Sequence, residues 1–347
     1  MILTRLRVKP SSDALTGLPT DWPHHAESRS EQSDIDSDGL DDLSESLALD
    51  TNNDIDKDES ATQTIRYNKR LTYGERIGVK SDHTLRIGFQ NFNGFSGKEN
   101  DPVDQSFRKW VSEWDFDVFG IPEVNLFWPR VKPSLQFLDR VYSWFNPLQT
   151  RARCVYNKDE VRTKRSIRQY GGIAQIARGN AALRHNSTMD DPSGLGRWVS
   201  QQFLGKEERS LRVVTAYRPN WTTTAKIYSV YRQHWAAFRA KGLIREPREA
   251  FLTDLAQQLN EWRKAGEHLI LLCDMNEDVR NPRIQQFLQE VGMKDLLLDQ
   301  YGDKVAPRTH IRGSAPIDGI FATSAVDILR GGYCAFDEGV HGKRADH

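Results

Sequence analysis

The sequence predicts an α/β protein whose strands form mixed or antiparallel sheets. Two observations support this prediction. Short apolar segments of strand length alternate with amphipathic helical segments along residues 84–347. In addition, strand-like segments such as 171–177 and 211–217 follow one another with no clear helical pattern between them. That arrangement favours mixed sheets over a purely parallel one.

The predicted elements are assigned from the spacing of apolar residues. A helix over 106–114 is indicated by Phe107, Trp110, Val111 and Trp114 on one face. Two further helices are predicted at 250–264 and 284–291 by the same spacing. Apolar runs, several of them alternating with polar residues, predict the strands. The predicted strands are 85–91, 117–123, 171–177, 211–217, 268–274, 316–321 and 331–336.

The composition places limits on the class of protein. The chain has 347 residues and its densest apolar run, 269–273, has five residues, whereas a membrane helix needs about 20. The first residues contain no stretch typical of a secretory signal. Three widely separated cysteines fit a reducing compartment and give no metal-binding spacing. We therefore expect no membrane partner, and a nuclear or cytoplasmic rather than a secreted protein.

Residues 1–83 predict a mostly disordered acidic leader ahead of a folded domain at 84–347. The leader is rich in Ser, Asp, Asn, Thr and Glu and has few aromatic residues, so it offers little apolar surface to bury. Residues 1–80 carry 10 Lys and Arg against 16 Asp and Glu, and the rest carries 38 against 32. An acidic leader thus precedes a mildly basic body, a weak indication of a polyanionic partner.

One segment of the leader, 34–45, fits the pattern of a calcium-binding loop. Acidic residues stand at positions 1, 3, 5 and 12 and glycine at position 6, as in an EF-hand loop. The candidate Ca²⁺ ligands are Asp34, Asp36, Asp38, Asp42 and Glu45. Strong flanking helices are not evident, so an acidic disordered run remains the alternative interpretation.

The clearest functional pattern is a polar residue at the end of each of several apolar strands. The residues at these strand ends are Asn91, Asn93, Glu123, Tyr217, Asn220, Asp274, Asn276, Asp318, Asp346 and His347. Each one alone is an ordinary turn former. Repeated in this order, they form a set of hard oxygen ligands and proton-transfer groups of the kind that a Mg²⁺-dependent hydrolase uses.

This ordered set of residues resembles the endonuclease/exonuclease/phosphatase superfamily, the group of deoxyribonuclease I. The resemblance covers 84–347, about three quarters of the chain. The matching motifs are Gln-Asn91-Phe-Asn93-Gly94, Pro-Glu123-Val-Asn125, Ala-Tyr217-Arg-Pro-Asn220, Cys-Asp274-Met-Asn276-Glu277, Ile-Asp318-Gly-Ile-Phe and Ala-Asp346-His347. The resemblance implies a four-layer α/β sandwich with two packed mixed β-sheets.

Three details qualify the resemblance. The Asn-x-Asn-Gly form is most similar to endonucleases of non-LTR retrotransposons, which implies DNA nicking and a reverse transcriptase encoded downstream. Asn93 is neutral where repair nucleases carry Asp, and Ala345 replaces the usual Ser. The family has one more strand after Asp-His, so we expect the domain to lack its last strand.

The resemblance also implies a role for each site residue. Glu123, with Asn93 or Asp346, would hold Mg²⁺ or Mn²⁺, and Asp274 would orient or deprotonate the attacking water. Asn91, Asn276 and Tyr217 would donate to phosphoryl oxygens. His347, oriented by Asp318, would also donate to the phosphate.

A basic stretch and scattered tryptophans favour nucleic acid, DNA or RNA, as the substrate. Lys and Arg neutralise phosphates, and aromatic rings can stack on bases, although Trp198, Trp221 and Trp235 also suit a core. The candidate nucleic-acid contacts are Arg162, Lys164, Arg165, Arg168 and Asn220. Two alternatives stay open: a phosphatase acting on inositol phosphates or sphingolipids, and a catalytically inactive gene fragment.

Overall fold

A computed structural model describes residues 1–8, 71–81, 84–91, 93–98, 101–158, 166–205, 209–222, 229–304 and 306–338. The strands are β1 (Ile2–Val8), β2 (Leu71–Gly74), β3 (Leu85–Phe89), β4 (Val118–Pro122), β5 (Thr150–Val155), β6 (Ile173–Arg178), β7 (His185–Asp190), β8 (Trp198–Leu204), β9 (Ser210–Tyr217), β10 (His268–Asp274), β11 (Met293–Asp295), β12 (Asp318–Thr323) and β13 (Val326–Cys334). The α-helices are α1 (Pro102–Glu113), α2 (Phe137–Trp144), α3 (Gly179–Leu183), α4 (Val230–Ala240), α5 (Pro247–Lys264), α6 (Pro282–Glu290) and α7 (Leu296–Tyr301). None of the helices in these ranges is long and apolar enough to cross a membrane.

The strands form two mixed sheets. The first has the order β2-β13-β1-β3-β4-β6-β5, and the second has the order β11-β12-β10-β9-β8-β7. Each contains one parallel pair, β3 with β4 and β9 with β10, among antiparallel neighbours. The prediction of an α/β fold with two mixed sheets is therefore confirmed.

The two sheets pack face to face between outer helices. A Cβ placed on Gly120 of β4 would lie 2.6 Å from Thr215 Oγ1 and 2.9 Å from Leu272 Cδ1, so only glycine permits this approach of the sheets. The Gln175 side chain also crosses the gap and donates to the Val213 carbonyl at 3.1 Å. Residues of α1 and α2 pack on the other face of the first sheet, while α5 packs on the second. These contacts produce the four layers.

Helix α1 illustrates how local sequence fixes an element. Asp101 caps its first turn by accepting from the Val103 backbone at 2.9 Å, and a proline follows at the first helical position. Phe107, Trp110 and Val111 then form the buried face that the sequence predicted.

The prediction that 1–83 stands outside the folded domain is wrong for part of that range. Ile2–Val8 forms β1 in the interior of the first sheet, and Leu71–Gly74 forms β2 at its edge. The reason is that β1 buries Ile2 and Leu6 in the core between the sheets and Leu3 in the core beneath α1. The predicted calcium loop at 34–45 lies outside the described residues.

Asp295, at the end of β11, generates a prediction about stability. Its Oδ1 accepts from the backbone N–H groups of Leu297 and Leu298 at 3.0 Å each, capping α7. Oδ2 is buried and accepts no hydrogen bond from the described residues. Burial raises the pKa of Asp295 to about 7, against the opposing effect of the two capping hydrogen bonds. The ionised carboxylate is thus disfavoured in the folded chain.

We expect the chain to lose stability as pH rises towards 7, because the folded state then binds more protons at Asp295 than the unfolded state does. Asp295→Asn keeps the capping oxygen and removes the charge. It should raise the free energy of unfolding at pH 8 by on the order of 2 kcal/mol and flatten its pH dependence. Urea unfolding at pH 5 and pH 8 measures this, with the exposed Asp139→Asn as control. Equal pH dependence of the Asp295→Asn variant and the parent would contradict the interpretation.

Candidate active site

The strand-end residues of both sheets meet at one edge of the sandwich. Asn91 follows β3 and Glu123 follows β4 in the first sheet, while Tyr217 ends β9 and Asp274 ends β10 in the second. Register sets the neighbours in the second sheet: Asp274 pairs with Tyr217 on one side and with Asp318 on the other. The sheet topology therefore brings these strand-end residues together at one edge.

The Asn91 side chain joins the two sheets at this edge. Its Nδ2 donates to Glu123 Oε2 at 2.8 Å and to Asp274 Oδ2 at 3.0 Å. Its Oδ1 accepts from the backbone N–H of Asn93 at 3.0 Å, which fixes the orientation of the amide. Because Asn91 is buried, water does not compete for these bonds. A single amide thus holds two carboxylates close together.

Tyr217 adds a fixed hydroxyl to this cluster. The hydroxyl is hydrogen-bonded to Glu123 and to Asn276. Burial raises the pKa of Tyr217 well above its usual range, and the negative charges of Glu123 and Asp274 raise it further. The phenol therefore stays protonated at neutral pH, with Glu123 as the acceptor of its one proton.

The backbone around the site is held in a conformation that side chains seldom adopt. Of the non-glycine residues with positive φ in the described ranges, four lie here: Asn93 at 54°, Glu123 at 52°, Asn125 at 54° and Asn276 at 49°. Asparagine tolerates this left-handed region, but for glutamate it is uncommon. Strain of this kind persists where the surrounding structure enforces it, often at functional sites. Glu123 is thus turned out of its strand towards Asn91.

A second set of contacts orients Asn93. Asn125 Nδ2 donates to Asn93 Oδ1 at 2.9 Å, and the Arg168 guanidinium donates to the same oxygen at 3.4 Å. Asn125 is itself fixed, since its Oδ1 accepts from the Gly171 backbone at 2.7 Å. The amide oxygen of Asn93 therefore has two donors within the protein, and its role as a metal ligand stays a prediction.

A third set of contacts holds Asn276 in place. The Asn276 backbone N–H donates to Asp274 Oδ1 at 2.9 Å, and its Nδ2 donates to the Arg218 carbonyl at 2.8 Å. Arg218 and Arg248 both bind Glu277, the next residue in the chain. Burial alone would raise the pKa of Glu277, but the two guanidinium groups outweigh it and lower that pKa. These ion pairs anchor the turn that carries Asn276.

Arg218 and Arg248 were not identified from the sequence as site residues. An arginine directly after the apolar strand β9 was the available signal for Arg218, because a buried cation requires a partner. Arg248 lies in α5 and has no such signal, since an arginine on a helix is ordinarily solvated.

Asp318 stands at the start of β12. Its backbone N–H donates to Thr309 Oγ1 at 3.1 Å, and its carbonyl accepts from the Tyr333 hydroxyl at 3.1 Å. The residue is buried beside Asp274. The prediction that Asp318 ends its strand is wrong, because it begins β12, and it reaches this edge since β12 runs antiparallel to β10. The predicted contact with His347 involves a residue outside the described ranges.

The remaining predicted residues divide into two groups. Asn220 is exposed in the loop after β9. The others lie outside the described residues: Arg162, Lys164, Arg165, Asp346, His347, Asp34, Asp36, Asp38, Asp42 and Glu45. Within the described ranges, no group of three or more His, Cys, Asp or Glu side chains is arranged to hold a metal ion.

Comparison with known proteins gives similarity to solved structures only. No family model and no curated protein sequence matches the chain. The human Nocturnin catalytic domain, with a bound sulfate anion, is 14% identical, with 64% of this chain and 74% of that one covered and a TM-score of 0.44. The Xenopus laevis APE2 catalytic domain is 14% identical over 69% and 82%, with a TM-score of 0.47. An endonuclease/exonuclease/phosphatase family protein from Leptotrichia buccalis is 12% identical over 68% and 86%, with a TM-score of 0.39.

These solved structures include a protein of the superfamily that the motifs resemble. Their identities to this chain are low, so we infer the function from the chain's own site residues.

The paired carboxylates generate a prediction about stability. Glu123 and Asp274 share one amide donor, so their negative charges repel one another in a partly buried site. We expect Glu123→Gln to raise the free energy of unfolding by about 1 kcal/mol in buffer containing a chelator. Urea unfolding at pH 8 tests this against the exposed Glu290→Gln as control. A loss of stability would show that the Glu123 charge is already balanced within the chain.

Proposed function

We propose that this chain is a hydrolase that cuts phosphodiester bonds of nucleic acid with the help of a divalent cation. The observation that carries the proposal is the Asn91 amide bridging Glu123 and Asp274 across the two sheets. Two close carboxylates, a protonated phenol and several amides at one edge form an arrangement suited to a phosphate group and a bound cation. The motif set that resembles the endonuclease/exonuclease/phosphatase superfamily supports the same function.

The donor atoms present fit a hydrated Mg²⁺ or Mn²⁺ ion. Mg²⁺ keeps several waters and is bound by one or two carboxylates together with substrate phosphate. Glu123 offers such a carboxylate: it is half-buried, and Oε2 accepts from Asn91. We assign it as the main ligand, with Asp346 and Asn93 as the further ligands that the motifs imply. When bound, the cation supplies positive charge against a phosphate oxygen.

The remaining catalytic roles are assigned to residues of the chain itself. We assign to Asp274 the role of orienting an attacking water and taking its proton as the water oxygen bonds to phosphorus and one bridging P–O bond breaks. Tyr217, which stays protonated, donates to a phosphoryl oxygen, and Asn276 lies beside it. Asn91 positions both carboxylates. The motifs assign to His347 a further donor role towards the phosphate, and to Asp318 the role of orienting it.

Arg168 and two exposed aromatic rings favour nucleic acid as the substrate. Arg168 lies with its guanidinium 4.7 Å from the centroid of the Tyr170 ring and contacts Asn93. Tyr170 is 40% exposed and Trp221 is 57% exposed. Exposed rings can stack on bases, while the Arg168 guanidinium can neutralise a phosphate. Of the three tryptophans named above, Trp198 is buried in the core.

The motif resemblance extends this proposal to a biological setting for the nuclease. The Asn-x-Asn-Gly motif favours DNA nicking in a retrotransposon, with a reverse transcriptase as partner and a nuclear or cytoplasmic location. A phosphatase of the inositol phosphate or sphingolipid type is the second candidate, since its substrates carry the same phosphate chemistry. A nicking assay on supercoiled plasmid with Mg²⁺, Mn²⁺ or chelator, run beside phosphate release from inositol phosphates, separates the two.

The roles assigned to Glu123 and Asp274 predict the effect of removing each charge. Glu123→Gln and Asp274→Asn should each lower the Mg²⁺-dependent nicking rate by at least about 100-fold, because groups acting together are costly to remove singly. The double variant should lose far less than the product of the two single losses. Initial nicking rates measure this, with Glu290→Gln as a control that retains activity. Activity within about threefold of the parent in Glu123→Gln would remove Glu123 as the ligand.

The position of Arg168 predicts a loss of phosphate contact. We expect Arg168→Gln to weaken binding to DNA of any sequence and to reduce the slope of log K against log salt by about 1. Fluorescence anisotropy with a labelled duplex between 50 and 200 mM salt, without divalent cations, measures both. Arg108→Gln, an exposed arginine of α1, is the matched control. An unchanged slope would mean that Arg168 only orients Asn93.

A further inference from the structure

Arg308 is an exposed arginine beside the candidate active site. It lines a small cavity together with Asn91 and Asp318. The next residue, Thr309, is buried, and its Oγ1 accepts from the backbone N–H groups of Ile317 and Asp318 at 2.9 and 3.1 Å. These two hydrogen bonds tie the loop that carries Arg308 to the start of β12. The loop therefore keeps Arg308 at the Asp318 end of the site.

The charge of Arg308 is not balanced by a carboxylate of the described residues. Its guanidinium lies 5.7 Å from the centroid of the Phe336 ring, just after β13, and forms no ion pair within the described ranges. In contrast, Arg218 and Arg248 at the same edge both bind Glu277. An exposed guanidinium without a carboxylate partner can bind an anion, and its planar fork of donors suits a phosphate.

Arg168 has the same character in a different loop. Its guanidinium donates to Asn93 Oδ1 at 3.4 Å and lies 4.7 Å from the centroid of the Tyr170 ring. Among the residues that the structure describes, it too has no carboxylate partner. Its backbone pairs with Leu126, beyond the end of β4, in the segment that leads into β6. Arg168 therefore belongs to the β4 and β6 end of the site.

The order of the strands places the carboxylates between the two arginines. In the second sheet Asp274 of β10 has Asp318 of β12 on one side and Tyr217 of β9 on the other. In the first sheet β13 lies on one side of β3, while β4 and β6 lie on the other. Arg308 stands at the β12 and β13 end, and Arg168 at the β4 and β6 end. Since neighbouring strands are about 5 Å apart, the two cations are separated along the edge by several strand widths.

We propose that Arg308 and Arg168 bind the phosphates on either side of the scissile one, so that a nucleic-acid strand crosses this edge from β12 and β13 towards β4 and β6. Two cations spaced along a line match a polymer that carries a phosphate at every nucleotide. A substrate whose only phosphate is the scissile one would engage neither arginine. Arg308 is therefore a specificity-determining residue that selects polynucleotides. The position of the scissile phosphate rests on the proposed function, whereas binding by the two arginines can be measured without cleavage.

The first experiment counts phosphate contacts. Affinity for a labelled DNA duplex is measured by fluorescence anisotropy at several salt concentrations, without divalent cations. Arg308→Gln should reduce the slope of log K against log salt by about 1, and Arg308→Gln combined with Arg168→Gln should reduce it by about 2. Arg308→Lys keeps the charge and should keep the parental slope. Arg108→Gln, an exposed arginine of α1, is the matched control.

The second experiment asks whether Arg308 acts in substrate binding or in the reaction itself. With Mg²⁺ and an oligonucleotide substrate, Arg308→Gln should raise KM about 10-fold, because one charge-assisted contact is lost. Its kcat should stay within about twofold of the parent, since the phosphate that Arg308 binds does not react. The parent should also cleave a dinucleoside monophosphate with a kcat/KM at least about 10-fold below that for the oligonucleotide, and Arg308→Gln should narrow this difference.

Two results would overturn the inference. The first is a chain that nicks DNA and whose Arg308→Gln variant keeps the parental salt slope and KM. The second is a fall in kcat without a change in KM that Arg308→Lys does not restore, because Arg308 would then only support the loop at Asp318. A parent chain that binds the duplex with the expected slopes but nicks it with no divalent cation would instead contradict the proposed function and leave the two phosphate contacts standing.

Discussion

The candidate active site depends on one contact, the Asn91 amide between Glu123 and Asp274. The two carboxylates belong to different sheets, so their separation is set by how closely the sheets pack. Gly120 permits that packing, because any side chain there would meet Thr215 and Leu272. A shift of the sheets by one ångström would break one of the two Asn91 bonds, which are 2.8 and 3.0 Å long. The hydrophobic core thus controls the geometry of the polar edge.

The strained turns at this edge follow from the same requirement. A strand that simply continued would carry Glu123 past the site, and the left-handed conformation at this residue turns it back towards Asn91. Residues held this way cost on the order of 1–3 kcal/mol each. Around them, Gly171 fixes Asn125, and Arg218 and Arg248 fix the turn after Asp274 through Glu277. The surrounding hydrogen bonds and ion pairs hold the turns in place.

The position of β1 shows that the chain order and the spatial order of this fold differ. The sheet that carries Asn91 is completed by a segment that precedes it by about 80 residues in sequence. Local patterning could not reveal this, because seven residues with four large apolar side chains at one end of an acidic stretch resemble an ordinary disordered flank. Those side chains are buried only in the tertiary structure, where β1 lies between β3 and β13.

The sequence by itself determined the class of fold, the approximate positions of seven of the eleven strands and three of the seven α-helices described from 84 onward, and the chemical types at the strand ends. It could do so because apolar periodicity reflects burial and because a polar residue after a buried strand is locally visible, as at Asn91 and Asp274. It did not reveal β1, the edge strand β5 within the basic stretch, or the supporting roles of Asn125, Arg218 and Arg248. Each of these depends on partners far away in the chain. Arg248 faces Glu277 only because α5 packs against the end of β10. Asn125 faces Asn93 only because β3 and β4 are parallel neighbours. The tertiary structure decided which of the polar residues meet, since hydrogen bonds and ion pairs are made between positions that sequence spacing does not relate.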